Sequence, residues 1–519
     1  MQQHDQSEVL RFLTRPATHA TDGNGANEVI APLVIQTHIS VIVLVGQQAY
    51  KLKRAARLPY LDFSTPVRRL AACQQELDLN RRTAPFIYQS VRRITRRADG
   101  ELEWDGPGEL VDAVVQMRRF DDDGLLEKMA ARQQLTQPLM TRLARSIAQF
   151  HASAARSADV RGAERVAAVL DLNEQSQDAS ARILDSNRPI KLSQALRQTL
   201  AQHVALLDAR ADAGKVRRCH GDLHLRNICM VDGNPTLFDC LEFNESMATI
   251  DVLYDLAFLL MDLWRHNERA LANVVMNRYM DENDETDGLP LLPFFMALRA
   301  AIRAQVLATQ ADIADADTAA QCIAQANDFL DLAFDLLKPC SPALVAVGGL
   351  SGSGKSTVAT ALADSVGPAP GARVLSSDRI RKHLAGVPPE AVLPAQTYTQ
   401  DTSDRVYHEQ AKQAIRVLTL GHAVIADAVF SRAHERATIQ QCAAQASVPF
   451  TGVWLETSAE QLIRRVQARK DDPSDATADV VRKQLQRDLG EINWIRVPAD
   501  GSPQTVMTRV ARVVALGTP

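Results

Sequence analysis

Two stretches of the chain carry residue types at spacings suited to moving a phosphoryl group. The first is HGDLHLRNICMVDGNPTLFD, residues 220–239. Asp222 and Asn227 stand five apart on what reads as a tight loop. The apolar ICMV and the following PTLFD read as two short strands joined by an Asp232-Gly233 turn. Such a hairpin returns Asp239 to the neighbourhood of Asn227. Asp222 would then orient an attacking hydroxyl, while Asn227 and Asp239 would hold Mg2+ on the phosphates of ATP. Phosphoryl transfer needs little more from a protein than this positioning and charge compensation.

The second stretch is Gly349-Leu350-Ser351-Gly352-Ser353-Gly354-Lys355-Ser356, a full match to G-x-x-x-x-G-K-[ST]. The run ALVAVGG before it reads as a buried strand, and a helix follows at once. Gly349, Gly352 and Gly354 let backbone N–H groups come close to phosphate oxygens. The helix N-terminus adds a favourable field. Lys355 would reach the β and γ phosphates and Ser356 would bind Mg2+. Ser351, Ser353 and Thr357 complete the candidate nucleotide-binding set.

The first stretch resembles the catalytic loop of the aminoglycoside phosphotransferase and choline kinase-like group, which shares the protein-kinase fold. His220, Gly221, Asp222 and Asn227 match its H-G-D-x-x-x-x-N pattern, and Asp239 takes the place of its metal-binding Asp. The resemblance implies a strand lysine for the ATP phosphates. Ala49-Tyr50-Lys51 resembles the group's A-x-K, which points to Lys51, with Lys53 as the alternative on the same strand face. It further implies a helix glutamate paired with that lysine, here Glu76. No strong glycine-rich phosphate loop precedes the lysines. Asp251 and Asp255 are expected to support the catalytic loop, and Glu242 and Asn244 are candidates for substrate contact.

The second stretch opens a pattern similar to small P-loop kinases of the polynucleotide kinase, gluconate kinase and zeta-toxin type. RVLSSDRIRKHL puts Asp378 and Arg381 just after a strand, and this D-x-x-R especially resembles polynucleotide kinase. By that resemblance Asp378 orients or deprotonates the acceptor hydroxyl and Arg381 holds an anionic part of the acceptor. HAVIADAVF delivers Asp427 to the end of a further strand, for a Walker-B-like metal role or a second acceptor shell. Arg432 and Arg436 follow on one helical face, where substrate contact and plain solvent exposure are equal readings. Arg465 and Arg469, four apart, resemble lid arginines that close over the transferring phosphate.

The elements needed to position these groups are legible around them. Residues 34–54 read as a hairpin carrying the lysines, and 65–85 as the helix carrying Glu76. Residues 125–212 are helical in pattern, with His151 a packed or surface histidine. The acidic DENDETDG, 281–288, reads as a solvated loop between helices. The fold class expected is a bilobal α+β protein-kinase-like phosphotransferase domain over 1–336, a short linker at 337–341, and an α/β P-loop kinase domain with a mainly parallel sheet over 342–519.

A chain of 519 residues is long enough for two or three domains with cores of their own. A net charge of −4 argues against broad non-specific DNA binding. The cysteines form no CxxC pair or metal-like cluster and suit a reducing compartment. The N-terminus lacks a signal-peptide pattern, and no run of apolar residues is long enough to span a membrane, so the cytoplasm is the expected location. The reading is an ATP- and Mg2+-dependent phosphotransferase with two sites acting on hydroxyls of small molecules. The alternatives are a 5′-hydroxyl nucleic-acid kinase in the second domain, or a non-catalytic regulatory first domain coupled to a P-loop ATPase.

Overall fold

The computed structural model describes residues 5–19, 31–37, 39–58, 61–158, 161–180, 184, 187–312, 314–468 and 474–517. The chain forms two compact units: 1–172 with 200–266, and 173–199 with 267–519.

The first unit starts with helix α1 (Ser7–Thr14) and strands β1 (Leu33–Gln36), β2 (Ser40–Val45) and β3 (Gln48–Lys53). The expected hairpin is present, turning at Gly46, whose φ of +55° suits glycine. A short pair, β4 (Arg57–Leu58) and β5 (Leu61–Asp62), leads to α2 (Pro66–Asn80). Thr65 caps α2 by accepting from the Arg68 amide, with Pro66 just inside the start. Then come β6 (Tyr88–Arg96), β7 (Leu102–Trp104) and β8 (Glu109–Arg118). These strands form an antiparallel sheet in the order β1-β2-β3-β8-β6-β7. One face packs Ala49, Ala113 and Val115 on Cys73 and Leu77 of α2, and the other packs Val43, Tyr50 and Leu52 on Leu13 of α1. Alternation along β3 therefore fixes Lys51 and Lys53 on the α2 side.

Helices α3 (Leu126–Ala131), α4 (Gln137–Ser153), α5 (Gly162–Ser180) and α6 (Asn187–Asp212) follow, the last part of α5 and the first part of α6 belonging to the second unit, then β9 (Val216–Arg218). The hairpin β10 (Ile228–Val231) and β11 (Asn234–Leu237) turns at Asp232-Gly233, both at positive φ as an Asp-Gly turn of this kind requires. Helix α7 (Glu245–Ala248), strand β12 (Thr249–Asp251), which pairs with β9, and the buried α8 (Val252–Arg265) end this unit.

The second unit carries α9 (Arg269–Glu282), α10 (Leu292–Ala311) and α11 (Ala316–Leu336). The segment Thr286–Ala311 is long and apolar enough to cross a membrane, yet 78% of its most apolar window is buried within the protein. Next come β13 (Leu344–Gly348), α12 (Lys355–Leu362), β14 (Arg373–Ser376), α13 (Ser377–Leu384), α14 (Gln400–Thr419), β15 (Val424–Asp427) and α15 (Ala433–Gln445). The chain closes with β16 (Phe450–Glu456), α16 (Ala459–Gln467), α17 (Ala478–Leu485), β17 (Ile495–Pro498) and α18 (Pro503–Gly517). The sheet is wholly parallel, in the order β14-β15-β13-β16-β17. One face buries Val345, Val347, Ile425 and Val453 against α12 and α18.

One expectation is corrected here. The acidic run at 281–288 does not begin as a solvated loop: Asp281 lies on α9 and is ion-paired with Arg278, Arg373 and Arg379. The arginines that neutralise it come mainly from almost a hundred residues later, where local charge reading has no access.

Candidate active sites

In the first unit, β3 and α2 bring Lys51 and Glu76 together. Lys51 Nζ donates to Glu76 Oε1 at 2.7 Å and to Asp239 Oδ1 at 2.5 Å. Burial works against the Lys51 ammonium, but Asp239 and Glu76 outweigh it and hold its pKa well above the ordinary lysine value. Lys53 lies on the same face and is fully buried. It pairs with Glu76 Oε2 at 2.5 Å and donates to Glu242. The alternative lysine thus does not face the candidate metal residue; it clamps the other oxygen of Glu76 to a buried glutamate.

Asp239 has a left-handed backbone, φ +62°, unusual for a residue other than glycine. Two side chains hold that conformation. Tyr88 Oη accepts the Asp239 N–H at 3.1 Å, and Asn80 Oδ1 accepts the Cys240 N–H at 2.8 Å. The hairpin closes as expected, with the Phe238 N–H donating to the Asn227 carbonyl at 3.0 Å.

In the catalytic-loop stretch, Asn227 Nδ2 donates to Asp222 Oδ2 at 2.9 Å and to the Asp222 carbonyl at 3.0 Å. This orients the Asn227 amide so that its oxygen points elsewhere. His224 Nδ1 accepts the Arg226 N–H at 3.2 Å, so the ring hydrogen sits on Nε2, 3.3 Å from Asp222 Oδ2. Two donors therefore converge on one oxygen of the candidate base. The loop is fixed from beneath by α8. Asp255 accepts the His220 and Gly221 N–H groups at 3.0 and 2.9 Å, and Asp262 accepts the Leu225 N–H at 3.0 Å. His151 is buried and bonded to Asp255 at 3.1 Å, and Asp251 is gripped by Arg210. Asp255 thus supports the catalytic loop as anticipated, whereas Asp251 pairs with Arg210 and caps α8 by accepting the Leu253 N–H. Glu242 is buried against Lys53, and Asn244 caps α7 by accepting the Met247 N–H. The half-buried Asp222 and Asp239 carboxylates and the buried Asn227 amide offer oxygens, hard donors of the type Mg2+ takes.

In the second unit the loop between β13 and α12 has Gly349, Gly352 and Gly354 at φ +140°, +90° and +93°. A Cβ on Gly349 would lie 2.7 Å from the Leu455 carbonyl and from Ser353 Oγ; one on Gly352 would lie 2.5 Å from the Leu462 carbonyl. Lys355 Nζ arches back over the loop to the Leu350 carbonyl at 3.2 Å. Gln484 of α17 accepts the Ser351 N–H at 2.9 Å and donates to its hydroxyl at 3.1 Å. Ser353 Oγ is buried with no protein partner, and Ser356 and Thr357 face outward at the start of α12. A buried, unpartnered hydroxyl at Ser353 in a glycine loop that ends on a lysine fits a phosphate chain.

Asp427 ends β15, where the Ser356 and Ser376 hydroxyls favour its charged form. Burial raises its pKa, with Lys355 opposing and Asp378 reinforcing the shift. Asp378 is half-buried in the first turn of α13. Arg381, one turn on, is buried, and its guanidinium sits 5.0 Å over the Tyr398 ring while Nε and Nη1 have no hydrogen-bond partner. Tyr398 donates to Asp475 at 2.5 Å, and Lys382 pairs with the same carboxylate at 2.9 Å. Arg465 donates to the Ala499 carbonyl at 2.9 Å; Arg469 lies outside the described residues. Arg436 is buried and donates to the carbonyls of Phe430, Leu489 and Glu491, and Arg432 precedes α15 and bonds Gln400.

Sequence reading missed Tyr88, Asn80, Tyr398 and Asp475. Each acts across more than seventy residues of chain and has no local motif. Glu242, expected as a candidate for substrate contact, is instead buried on Lys53.

Comparison with known proteins finds two family matches along the chain. Residues 46–289 match the phosphotransferase enzyme family, and residues 344–488 match an AAA domain. An uncharacterised protein of Mycobacterium tuberculosis is 29% identical over 458 residues, covering 86% of this chain and 88% of that protein. Among solved structures, a choline kinase from Cryptosporidium parvum is 9% identical, covers 64% of this chain and 96% of its own, and has a TM-score of 0.40. A gluconokinase from Sinorhizobium meliloti is 20% identical, covers 34% and 95%, and has a TM-score of 0.26. Both matched regions are enzyme families. The chain is a two-domain enzyme, a phosphotransferase-like kinase fold followed by an α/β P-loop domain of the AAA type.

Proposed function

We propose that the protein is an ATP-dependent phosphotransferase with two active sites, each acting on a hydroxyl of a small molecule. The observation that carries the reading is the meeting of Lys51, Glu76 and Asp239 in one ion-paired group, beside a catalytic loop that presents Asp222. In the first site Lys51 holds the nucleotide phosphates, steadied by Glu76. Asp222, with one oxygen held by Asn227 and His224, orients the acceptor hydroxyl and takes its proton. Asn227 and Asp239 would hold Mg2+, which supplies charge neutralisation on the phosphates when bound.

In the second site the backbone of 349–354 and Lys355 hold the phosphates. Ser356 and Asp427 would hold the metal. Asp378 accepts the proton of the acceptor hydroxyl, and Arg381 meets an anionic group of the acceptor. The unpartnered nitrogens of Arg381 support that last role. They also favour a second reading of this site, a 5′-hydroxyl nucleic-acid kinase whose acceptor phosphate meets Arg381. Arg465 and Arg469 are proposed to act from the lid.

The test is a phosphate-transfer screen of the full chain against metabolites, aminoglycosides and 5′-hydroxyl oligonucleotides, with Asp222→Asn and Lys355→Ala run in parallel. Asp222→Asn should cut first-site transfer by about a hundredfold or more while leaving ATP affinity intact. Transfer that survives both substitutions would sink the assignment. A first site that binds Mg-ATP and transfers to no acceptor would instead be a regulatory module.

A further inference from the structure

Strand β14 is an edge of the parallel sheet, and an edge strand presents unpaired N–H and C=O groups. Here α9 covers it with side-chain amides. Asn273, Asn277 and Asp281 recur every four residues and so share one helix face. Asn273 Nδ2 donates to the carbonyls of Pro370 and Ala372 at 3.1 and 3.0 Å. Asn277 Nδ2 donates to the Ala372 carbonyl at 3.1 Å, and its Oδ1 accepts the Val374 N–H at 2.7 Å. One amide thus satisfies a donor and an acceptor of the strand as a neighbouring strand would. Both asparagines are almost fully buried.

Asp281 extends this contact from the strand to the helix after it. Its Oδ1 accepts from Arg373 of β14 at 2.6 Å, and its Oδ2 accepts from Arg379 of α13 at 3.2 Å. Arg278 also pairs with Asp281 Oδ2, at 2.5 Å. Arg379 is the immediate neighbour of Asp378 and lies two residues from Arg381. The start of α13 is therefore tied to α9 through the Asp281 carboxylate. Helix α9 lies inside the stretch that matches the phosphotransferase family, not the stretch that matches the AAA domain.

We propose that Asp281 is a positioning residue of the second active site. Acting through Arg379 and Arg373, it fixes the start of α13 and so sets Asp378 against the phosphate loop. The proposal rests on the reading of Asp378 as the acceptor-side carboxylate. It makes α9 a working part of the P-loop enzyme as well as a helix of the phosphotransferase-like region.

The experiment uses the full chain carrying Asp222→Asn, so that ADP release from Mg-ATP alone reports the second site. Affinity of the second site for Mg-ATP is measured by calorimetry on the same samples, as the binding that Lys355→Ala removes. Asp281→Asn should slow ADP release at least tenfold with affinity changed less than twofold, because β13 and the phosphate loop are not touched. Asp281→Glu, which keeps the charge, should recover part of the rate. Arg379→Gln removes the link from the α13 end, leaves Asp281 paired with Arg373 and Arg278, and should reproduce the slow rate even if Asp281→Asn fails to fold. A rate within twofold of background for Arg379→Gln, or a parallel loss of rate and affinity, overturns the proposal. Asp378→Ala distinguishes the two levels of failure: if it turns over normally, the acceptor-side reading falls and this inference with it. If Asp378→Ala is slow and Arg379→Gln is normal, only this inference falls. Absence of any ADP release sensitive to Lys355→Ala overturns both.

Discussion

Lys53 and Glu242 have each given up water for the other, and neither belongs to a recognisable motif. Glu76 is shared between Lys51 and Lys53, and the two ammonium groups hold its pKa low despite burial. Lys53→Met would leave Glu76 with one partner and Glu242 with none. Breaking a buried pair from one side costs about 3–5 kcal/mol, whereas removing both charges together is often nearly neutral. Urea unfolding of the full chain should therefore show a large loss for Lys53→Met and a much smaller one for Lys53→Met with Glu242→Leu. Equal losses would mean that packing, not charge, holds this site. His422 provides a pH-dependent case in the second unit. It is fully buried, its Nε2 meets the Gly371 carbonyl at 3.0 Å, and its Nδ1 has no partner to receive a second proton. Burial depresses its pKa to about 4. The unfolded chain binds the proton first, so the stability contribution is complete above pH ~6.5 and is lost as pH falls toward 4. The full effect is on the order of 3 kcal/mol. Comparing acid unfolding of wild type with His422→Asn should show the wild type losing more between those values; identical curves would refute the assignment. Asp222, Asn227, Asp239 and Lys355 could be picked out from sequence because their chemistry sits in contiguous motifs. Lys53–Glu242 could not, because the partners lie 189 residues apart.

At the scale of elements, strand-loop-helix order was readable wherever short-range chemistry sets it. The Asp232-Gly233 turn requires positive φ, and the glycines of 349–354 require close backbone approach, so both left local marks. The support of those elements left none. Asp255 and Asp262 rise from α8 to hold backbone amides of the catalytic loop, while Tyr88 and Asn80 hold the strained turn at Asp239. Gly349 shows how tightly one such element is determined. An alanine there meets the Leu455 carbonyl and Ser353 Oγ at 2.7 Å, and its φ of +140° is unfavourable for any L side chain. Relieving either contact shifts the Leu455 strand or the loop that carries Ser351, Ser353 and Lys355. Gly349→Ala should weaken Mg-ATP binding at the second site by tenfold or more. Calorimetry of the full chain would then give one bound nucleotide in place of two. Retention of two would show that the loop can relax around the added methyl.

For the whole molecule, the question is how much chain each catalytic fold needs. The P-loop pattern starts at β13, and a linker expected from sequence at 337–341 would make 342–519 self-sufficient. The compact unit around that sheet nevertheless takes in everything from residue 267 onward, together with 173–199. The physical reason is the edge of β14. Without α9, the carbonyl of Ala372 and the N–H of Val374 lose their side-chain partners, and Arg373 loses the Asp281 carboxylate from a nearly buried position. Unpaired edge groups template pairing with other chains. Each buried polar group left without its partner costs roughly 1–3 kcal/mol, against a typical total stability of about 5–15 kcal/mol. The fragment 342–519 should therefore unfold at a clearly lower temperature than 267–519 and self-associate as concentration rises. Size-exclusion chromatography and thermal unfolding of the two fragments at matched concentrations measure both effects. If 342–519 is monomeric with the same unfolding midpoint, then α9 only decorates an already complete sheet. If only 267–519 is monomeric and stable, the functional boundary of the P-loop enzyme lies upstream of its motif-bearing region, inside the sequence that matches the phosphotransferase family.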